Sequence, residues 1–133
     1  MVRALRSGSG AQEIDPLAKL ISFDIDGTLE IGEPPGIITM DLVRKARSLG
    51  YLIGSCSDRP ISSQVRLWSE HRISVDFTVL KQNLEDVKPR FDVEACYHVG
   101  DTELDRFYAH KAGFQFVQAE AGAWQDSLPD LPL

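Results

Sequence analysis

The chain has 133 residues, 43% hydrophobic and 26% charged, with a net charge of −6. That length and composition suit one soluble globular domain with a sizeable core. The acidic balance argues against a large nucleic-acid surface, and no apolar run approaches the length of a membrane helix.

Residues 1–12 carry Ser7-Gly8-Ser9-Gly10 and are expected to form a flexible arm, leaving 13–133 as a single domain. The first eleven residues lack the continuous apolar stretch of a secretory signal, so the expected location is cytoplasmic. Leu17–Ile25 reads as the first strand. The segment Leu29–Gly36 holds Gly32, Pro34, Pro35 and Gly36 and reads as a loop or short flap. Thr39 is placed to cap a helix with Leu42, Val43, Ala46 and Leu49 on its apolar face, ended by Gly50. Tyr51–Ser57 is nearly continuous in apolar and small residues, as a strand buried on both faces requires. Pro60 opens a helix to about His71, with Ile61, Val65 and Trp68 expected inside. Val75–Leu80 is the third strand and Gln82 to about Arg90 a helix stopped near Pro89. Ala95–Val99, Arg106–Ala112 with Gly113 behind it, and Phe114–Gln118 complete a strand, a helix and a fifth strand. The packing of the tail after Gly122, with Trp124, cannot be read from the pattern.

Strands alternating with helices imply a doubly wound, three-layer α/β fold. Its parallel sheet has about five strands, and ligands bind beyond the strands' carboxyl ends. Every polar cluster falls at such an end. The first strand delivers Asp24 and Asp26 in Phe23-Asp24-Ile25-Asp26-Gly27-Thr28-Leu29. Residues i and i+2 of an extended segment face the same side, and two like charges there call for a cation. Mg²⁺, a hard ion that prefers oxygen, is the simplest occupant. Gly27 permits a tight turn, and Thr28 offers a hydroxyl and an amide to an anion. A calcium loop also opens Asp-x-Asp-Gly, but Leu29 and Ile31 stand where it needs oxygen ligands. The second strand ends in Ser57, followed by Asp58-Arg59-Pro60. The third ends at Lys81. The fourth ends in Gly100-Asp101-Thr102-Glu103-Leu104-Asp105. Carboxylates, a hydroxyl and a lysine on one rim are the parts needed for phosphoryl transfer through an aspartyl phosphate.

In order and spacing these motifs resemble the haloacid dehalogenase superfamily, most of whose members are Mg²⁺-dependent phosphohydrolases. The resemblance spans about residues 20–118. The resemblance implies that Asp24 is nucleophile and metal ligand, and that Asp26 is general acid/base with its carbonyl on the metal. It implies that Ser57, Gly27 and Thr28 bind phosphate with a lysine, that Asp101 completes the metal site, and that Asp105 supports it or orients the lysine. Two lysines compete. Lys88-Pro89 has the local look of many members, but Lys81 directly follows a strand. On a helix Lys88 would lie about 10 Å farther down the axis at ~1.5 Å per residue. Lys81 is preferred and Lys88 is the alternative. Ser55 is a lesser alternative to Ser57. Neither Leu29–Cys56 nor Asp58–Leu80 has room for the cap domain many members carry. The site is therefore expected to be open.

Other polar residues have structural readings. Cys56 and Cys96 read as buried free thiols on strands. His98 reads as a satisfied strand histidine, and His71 and His110 as surface residues. Trp68 reads as core and Glu103 as solvated. Asp105 can also cap its helix. Arg59 either touches substrate or pairs with Asp58 or a helix carboxylate. The expected activity is Mg²⁺-dependent phosphomonoester hydrolysis, on a phosphorylated small molecule or macromolecule, nucleic acid entering only as an end phosphate. A homo-oligomer could supply a lid, and no membrane role is expected. The alternative is a catalytically weak phosphate- or Mg²⁺-binding module acting through protein partners. A receiver-type signalling domain fits poorly, because its acceptor aspartate follows a later strand.

Overall fold

The computed structural model describes residues 17–133. The arm expected over 1–12, and the first residues of the expected domain, lie outside the described residues. Five strands run parallel in the order β3-β2-β1-β4-β5. They are β1 (Lys19–Phe23), β2 (Leu52–Ser57), β3 (Phe77–Leu80), β4 (Ala95–Gly100) and β5 (Gln115–Gln118). The helices are α1 (Met40–Ser48), α2 (Ile61–Glu70), α3 (Glu103–Ala112) and α4 (Ala121–Ser127). The expected α/β architecture is therefore present, and no cap domain stands over the strand ends among the described residues.

Side-chain alternation along β1 builds two cores. Ile21 and Phe23 face a layer with Val43, Ala46, Trp68 and Trp124; Leu20 faces the other way, with Cys56, Leu84, Ala109 and Phe114. β2 is buried at every position, as a strand covered on both faces must be. Both cysteines are buried and unpaired. No described helix is long and apolar enough to cross a membrane.

The strand order reverses beside β1, whose neighbours are β2 on one side and β4 on the other. Phe23 is in register with Val99, and Asp24 N–H donates to the Val99 carbonyl at 2.9 Å. The residues after Phe23 and after Gly100 therefore emerge side by side at the switch point, where such sheets open a crevice.

Several expectations are corrected. The helix expected over 82–90 is two short 3₁₀ segments, Lys81–Asp86 and Lys88–Arg90. Lys81, Leu84 and Val87 are all buried, and that three-residue spacing stacks on one face of a 3₁₀ turn. In α2 the inward face is Gln64, Leu67 and Trp68, while Ile61 and Val65 are exposed. A glutamine occupies the inside because its amide is fully used there, as shown below. Leu49, expected on α1's apolar face, is exposed at the helix's C-cap. The tail is ordered: α4 buries Trp124, then Leu128 and Leu131, and the Trp124 ring stacks on Phe23 at 6.5 Å. Leu17, expected in β1, precedes it and is exposed.

Candidate active site

The strand ends enclose a cavity of about 230 Å³ lined by Asp24, Asp26, Pro34, Ser57, Asp58, Lys81, Asp101 and Thr102. Asp24 is held by its own turn, its Oδ1 accepting from Ile25 N–H at 2.8 Å. Gly27 has φ +77°, a conformation L side chains avoid. A Cβ there would sit 2.0 Å from Asp101 Oδ2, so the missing side chain lets the loop after β4 close on the loop after β1. The flap is pinned to the same turn: Gly27 N–H donates to Pro34 at 2.7 Å and Ile38 N–H to Thr28 at 3.0 Å.

Lys81 lies under this rim with its side chain 7% exposed. Its ammonium is 3.4 Å from Asp24 Oδ2, 3.4 Å from Asp105 Oδ1 and 3.7 Å from Asp58 Oδ2. Lys88 is elsewhere, donating to the Gly113 carbonyl at 3.1 Å beyond the end of α3. Its 3₁₀ segment carries it away, so of the two candidate lysines only Lys81 reaches the cavity.

Asp105 is fully buried and saturated with donors. Oδ2 accepts from Thr102 N–H at 3.2 Å and from the Thr102 hydroxyl at 2.8 Å, in a reciprocal capping box on α3. Oδ1 faces Lys81 and accepts from His98 Nε2 at 3.0 Å. On the other side of the ring His98 Nδ1 is hydrogen-bonded to the Ser22 hydroxyl at 2.9 Å, a contact the hydroxyl can make as donor or acceptor. The strand histidine is therefore satisfied, and it holds the carboxylate that holds the lysine.

Asp24, Asp101 and Asp105 each present an oxygen within 4.8 Å of the others. Their availability differs. The donors on Asp105 occupy both its oxygens, whereas Asp101 Oδ1 is buried with no hydrogen-bond partner. A buried carboxylate oxygen without a partner is costly unless a cation satisfies it. Asp24 and Asp101 therefore fit a hard divalent ion such as Mg²⁺, and Asp105 fits the role of support.

Electrostatics carry the same message. Burial, then the Asp105 charge, push the Asp24 carboxyl up to about 7 against the pull of Lys81. Burial also works to raise Asp105, but the hydrogen bond and charge of His98, then Thr102 and Lys81, hold it well below the usual carboxylate range. Lys81 is disfavoured by burial, yet Asp24, Asp105 and Asp58 outweigh that and raise it. One ammonium thus serves two buried carboxylates. Asp105, with four donors, keeps its charge, and Asp24 is the one left short.

Ser57 is 1% exposed, and its oxygen accepts from Arg59 N–H at 3.0 Å, which leaves its proton free to donate. Ser55 points away, donating to Gln64 Oε1 at 2.6 Å and accepting from Trp68 Nε1 at 2.9 Å. Among the phosphate-binding candidates, Gly27 and Thr28 have their amides engaged within the turn and flap, Thr28 N–H on Ile25 at 3.1 Å. The Thr28 hydroxyl is buried and has no partner. Asp26 is held by Arg59, whose Nη2 is 2.7 Å from Oδ1 and Nε 3.2 Å from Oδ2. Glu33 N–H adds a third bond, to Oδ1, at 2.7 Å. The Arg59 hydrogen bonds keep Asp26 below the usual carboxylate range. The sequence offered Arg59 a substrate, Asp58 or a helix carboxylate; the partner it takes is Asp26. Gln64, whose buried amide secures the loop carrying Ser57 and Arg59, gave no signal in the sequence.

No protein-family model matches the chain. No curated relative matches it either. Its fold is similar to that of the 3-deoxy-D-manno-octulosonate 8-phosphate phosphatase of Moraxella catarrhalis, solved with a magnesium ion, a phosphate ion and a KDO molecule. The TM-score is 0.55 at 18% identity, covering 76% of this chain and 67% of that one. At that identity the likeness is one of fold.

Proposed function

We propose that this chain is a Mg²⁺-dependent phosphomonoester hydrolase of the haloacid dehalogenase type, acting through an aspartyl phosphate on Asp24. The observation that carries the reading is the pairing of a buried, electrostatically short Asp24 with an Asp101 oxygen that has no partner. Both border a cavity that also holds Lys81 and Ser57. A neighbour of the same fold that binds magnesium and phosphate supports it.

Asp24, Asp101 and the Asp26 carbonyl would hold the ion. When bound, the ion offsets the negative charge of the phosphoryl group and the attacking carboxylate. Asp24 attacks phosphorus and the ester P–O bond breaks. Asp26 gives its proton to the departing alkoxide, then takes one from the water that hydrolyses the aspartyl phosphate. Lys81 and the Ser57 hydroxyl hold the phosphoryl oxygens, and the Thr28 hydroxyl, which has no partner of its own, is the further donor on the same turn. Asp105 keeps Lys81 in place. The open rim accepts a phosphorylated small molecule, or a macromolecule such as a nucleic-acid end, and a second copy of the chain could cover it.

The test is phosphate release from an aryl phosphate with and without Mg²⁺, in the wild type and in Asp24→Asn. Mg²⁺-dependent release that the substitution abolishes is expected. Tight binding of Mg²⁺ and phosphate with no release from any ester would favour the non-catalytic binding module instead.

A further inference from the structure

Beside the acidic cavity lies a second one, of about 260 Å³, between the flap residue Ile31 and α2. Its polar lining is Arg59, Ser63, Arg66, Glu70 and His71. The two cavities adjoin. Asp26 borders the first and Arg59 the second, and Arg59 Nη2 is 2.7 Å from Asp26 Oδ1.

The donors of the second cavity are unspent. Arg59 gives Nε and Nη2 to Asp26, and its Nη1 has no partner among the described residues. The Arg66 guanidinium, the Ser63 hydroxyl and the His71 ring make no hydrogen bond or ion pair among the described residues. Glu70 is the one carboxylate on the lining, and it pairs with neither arginine. Two guanidiniums against one carboxylate leave the cavity positive, in a chain whose net charge is −6. The guanidinium fork matches the paired oxygens of a carboxylate or a phosphate.

Arg66 alone, exposed on a helix, would be an ordinary solvated side chain. Arg59 is not of that kind. Its N–H donates to Ser57 Oγ at 3.0 Å, and its carbonyl accepts from Nε2 of the fully buried Gln64 at 2.9 Å. The loop is thus tied to the sheet, and Arg59 stands at the border of the two cavities with one nitrogen still to give. Ser57, which holds a phosphoryl oxygen in the reading above, is two residues from Arg59, so their Cα atoms lie within roughly 7 Å. A small molecule spans such a distance, and the acidic surface as a whole disfavours a long polyanion.

Resting on the phosphatase reading above, we infer that the second cavity is a subsite for a second anionic group of the substrate, bound by Arg59 and Arg66. The substrate class is then a compact phosphate ester that also carries a carboxylate or another phosphate. One anion is hydrolysed over Asp24 and the other is only held.

The experiment measures turnover of two matched pairs at saturating Mg²⁺. 3-Phosphoglycerate adds a carboxylate to glycerol 3-phosphate, and fructose 1,6-bisphosphate adds a phosphate to fructose 6-phosphate. p-Nitrophenyl phosphate reports hydrolysis itself. In at least one pair the acidic member should have the higher kcat/KM by ~10-fold or more, about the worth of one charge-assisted hydrogen bond. The pair that shows the preference identifies the anion. Arg66→Ala should cut that ratio by at least ~5-fold and Arg66→Glu should abolish it, any general loss of activity cancelling within the ratio. Ratios near one in both pairs, or a preference that both substitutions leave unchanged, would overturn the subsite; p-nitrophenyl phosphate hydrolysis would then leave the phosphatase reading standing. If no ester is hydrolysed, the phosphatase reading fails instead. The same ratios are then taken from titration calorimetry of each pair with Mg²⁺ present, where equal affinities would overturn the subsite as well.

Discussion

Replacing Asp24 by Asn should make the metal-free protein more stable at pH 8, although it removes the proposed nucleophile. The Asp24 carboxyl titrates at about 7 in the fold against an ordinary 3.8. An unfolded chain gives up this proton near 3.8, while the folded chain retains it until about 7. Between those values the folded state binds more protons, so stability falls as pH rises. The loss is complete above about 7 and absent below about 3.8. At ~1.4 kcal/mol per unit the gap corresponds to about 4 kcal/mol, a ceiling because Lys81 and Asp105 titrate together with it. Asn keeps the oxygen that accepts from Ile25 N–H and removes the charge that burial and Asp105 oppose. Thermal unfolding with EDTA should therefore show Asp24→Asn melting at least ~5 °C above the wild type at pH 8, given several degrees per kcal/mol for a domain of this size. The difference should vanish near pH 4. Mg²⁺ should raise the wild-type melting temperature and leave the variant nearly unmoved. A variant less stable than the wild type at pH 8 without metal would refute the idea that Asp24 is short of positive charge.

Lys81→Ala should cost at least ~10²-fold in kcat/KM, because it removes the buried cation facing Asp24; Lys88→Ala should stay within ~3-fold, losing one exposed hydrogen bond at about 1 kcal/mol or less of stability. Gly27→Ala places a methyl on Asp101 Oδ2 at a left-handed φ, so titration calorimetry should show Mg²⁺ affinity falling by ~10-fold or more, with about 1–3 kcal/mol lost from chemical unfolding. Gln64→Leu leaves the Ser55 hydroxyl and the Val79 and Arg59 carbonyls without their partner. At roughly 1–3 kcal/mol for each buried orphan, urea unfolding should show a loss of ~2 kcal/mol or more; a loss under ~0.5 would show that water replaces the amide.

The parallel sheet was legible because its strands announce themselves as apolar runs that stop at carboxylates or hydroxyls. Asp24, Ser57, Lys81 and Asp101 each follow or end such a run, and the sheet alone brings their ends together. What was not legible depended on polar groups turned inward. Gln64 sits on the buried face of α2 because three partners meet it there, and no hydropathy pattern marks a glutamine as interior. The same residue displaced Ile61 and Val65 outward, reversing the expected face. The segment 82–90 was misread because it holds only two buried apolar positions, Leu84 and Val87, and their three-residue spacing, continued back to the buried Lys81, is compatible with either kind of helix over so short a stretch. The partner of Arg59 was a choice among carboxylates that only the loop's path could make. The tail's Trp124, Leu128 and Leu131 do keep helical spacing, but the prolines around them obscured it.

The arrangement of charge at the switch point makes one further step possible. Carboxylates of Asp24, Asp26, Asp58, Asp101 and Asp105 gather around two cations, Lys81 and Arg59. Each cation is already committed, Lys81 to Asp24 and Asp105, Arg59 to Asp26. Asp105 and Asp26 are therefore the satisfied members, held low by donors, while Asp24 and Asp101 share the deficit. A fold indifferent to a cation would have spread its few positive charges evenly. Here Arg59 is given to Asp26 and Lys81 is shared between Asp24 and Asp105, while Asp101, beside the Gly27 turn, keeps a buried oxygen with no partner. On the reading proposed above, Asp24 and Asp101 are then the pair that a bound divalent ion would complete.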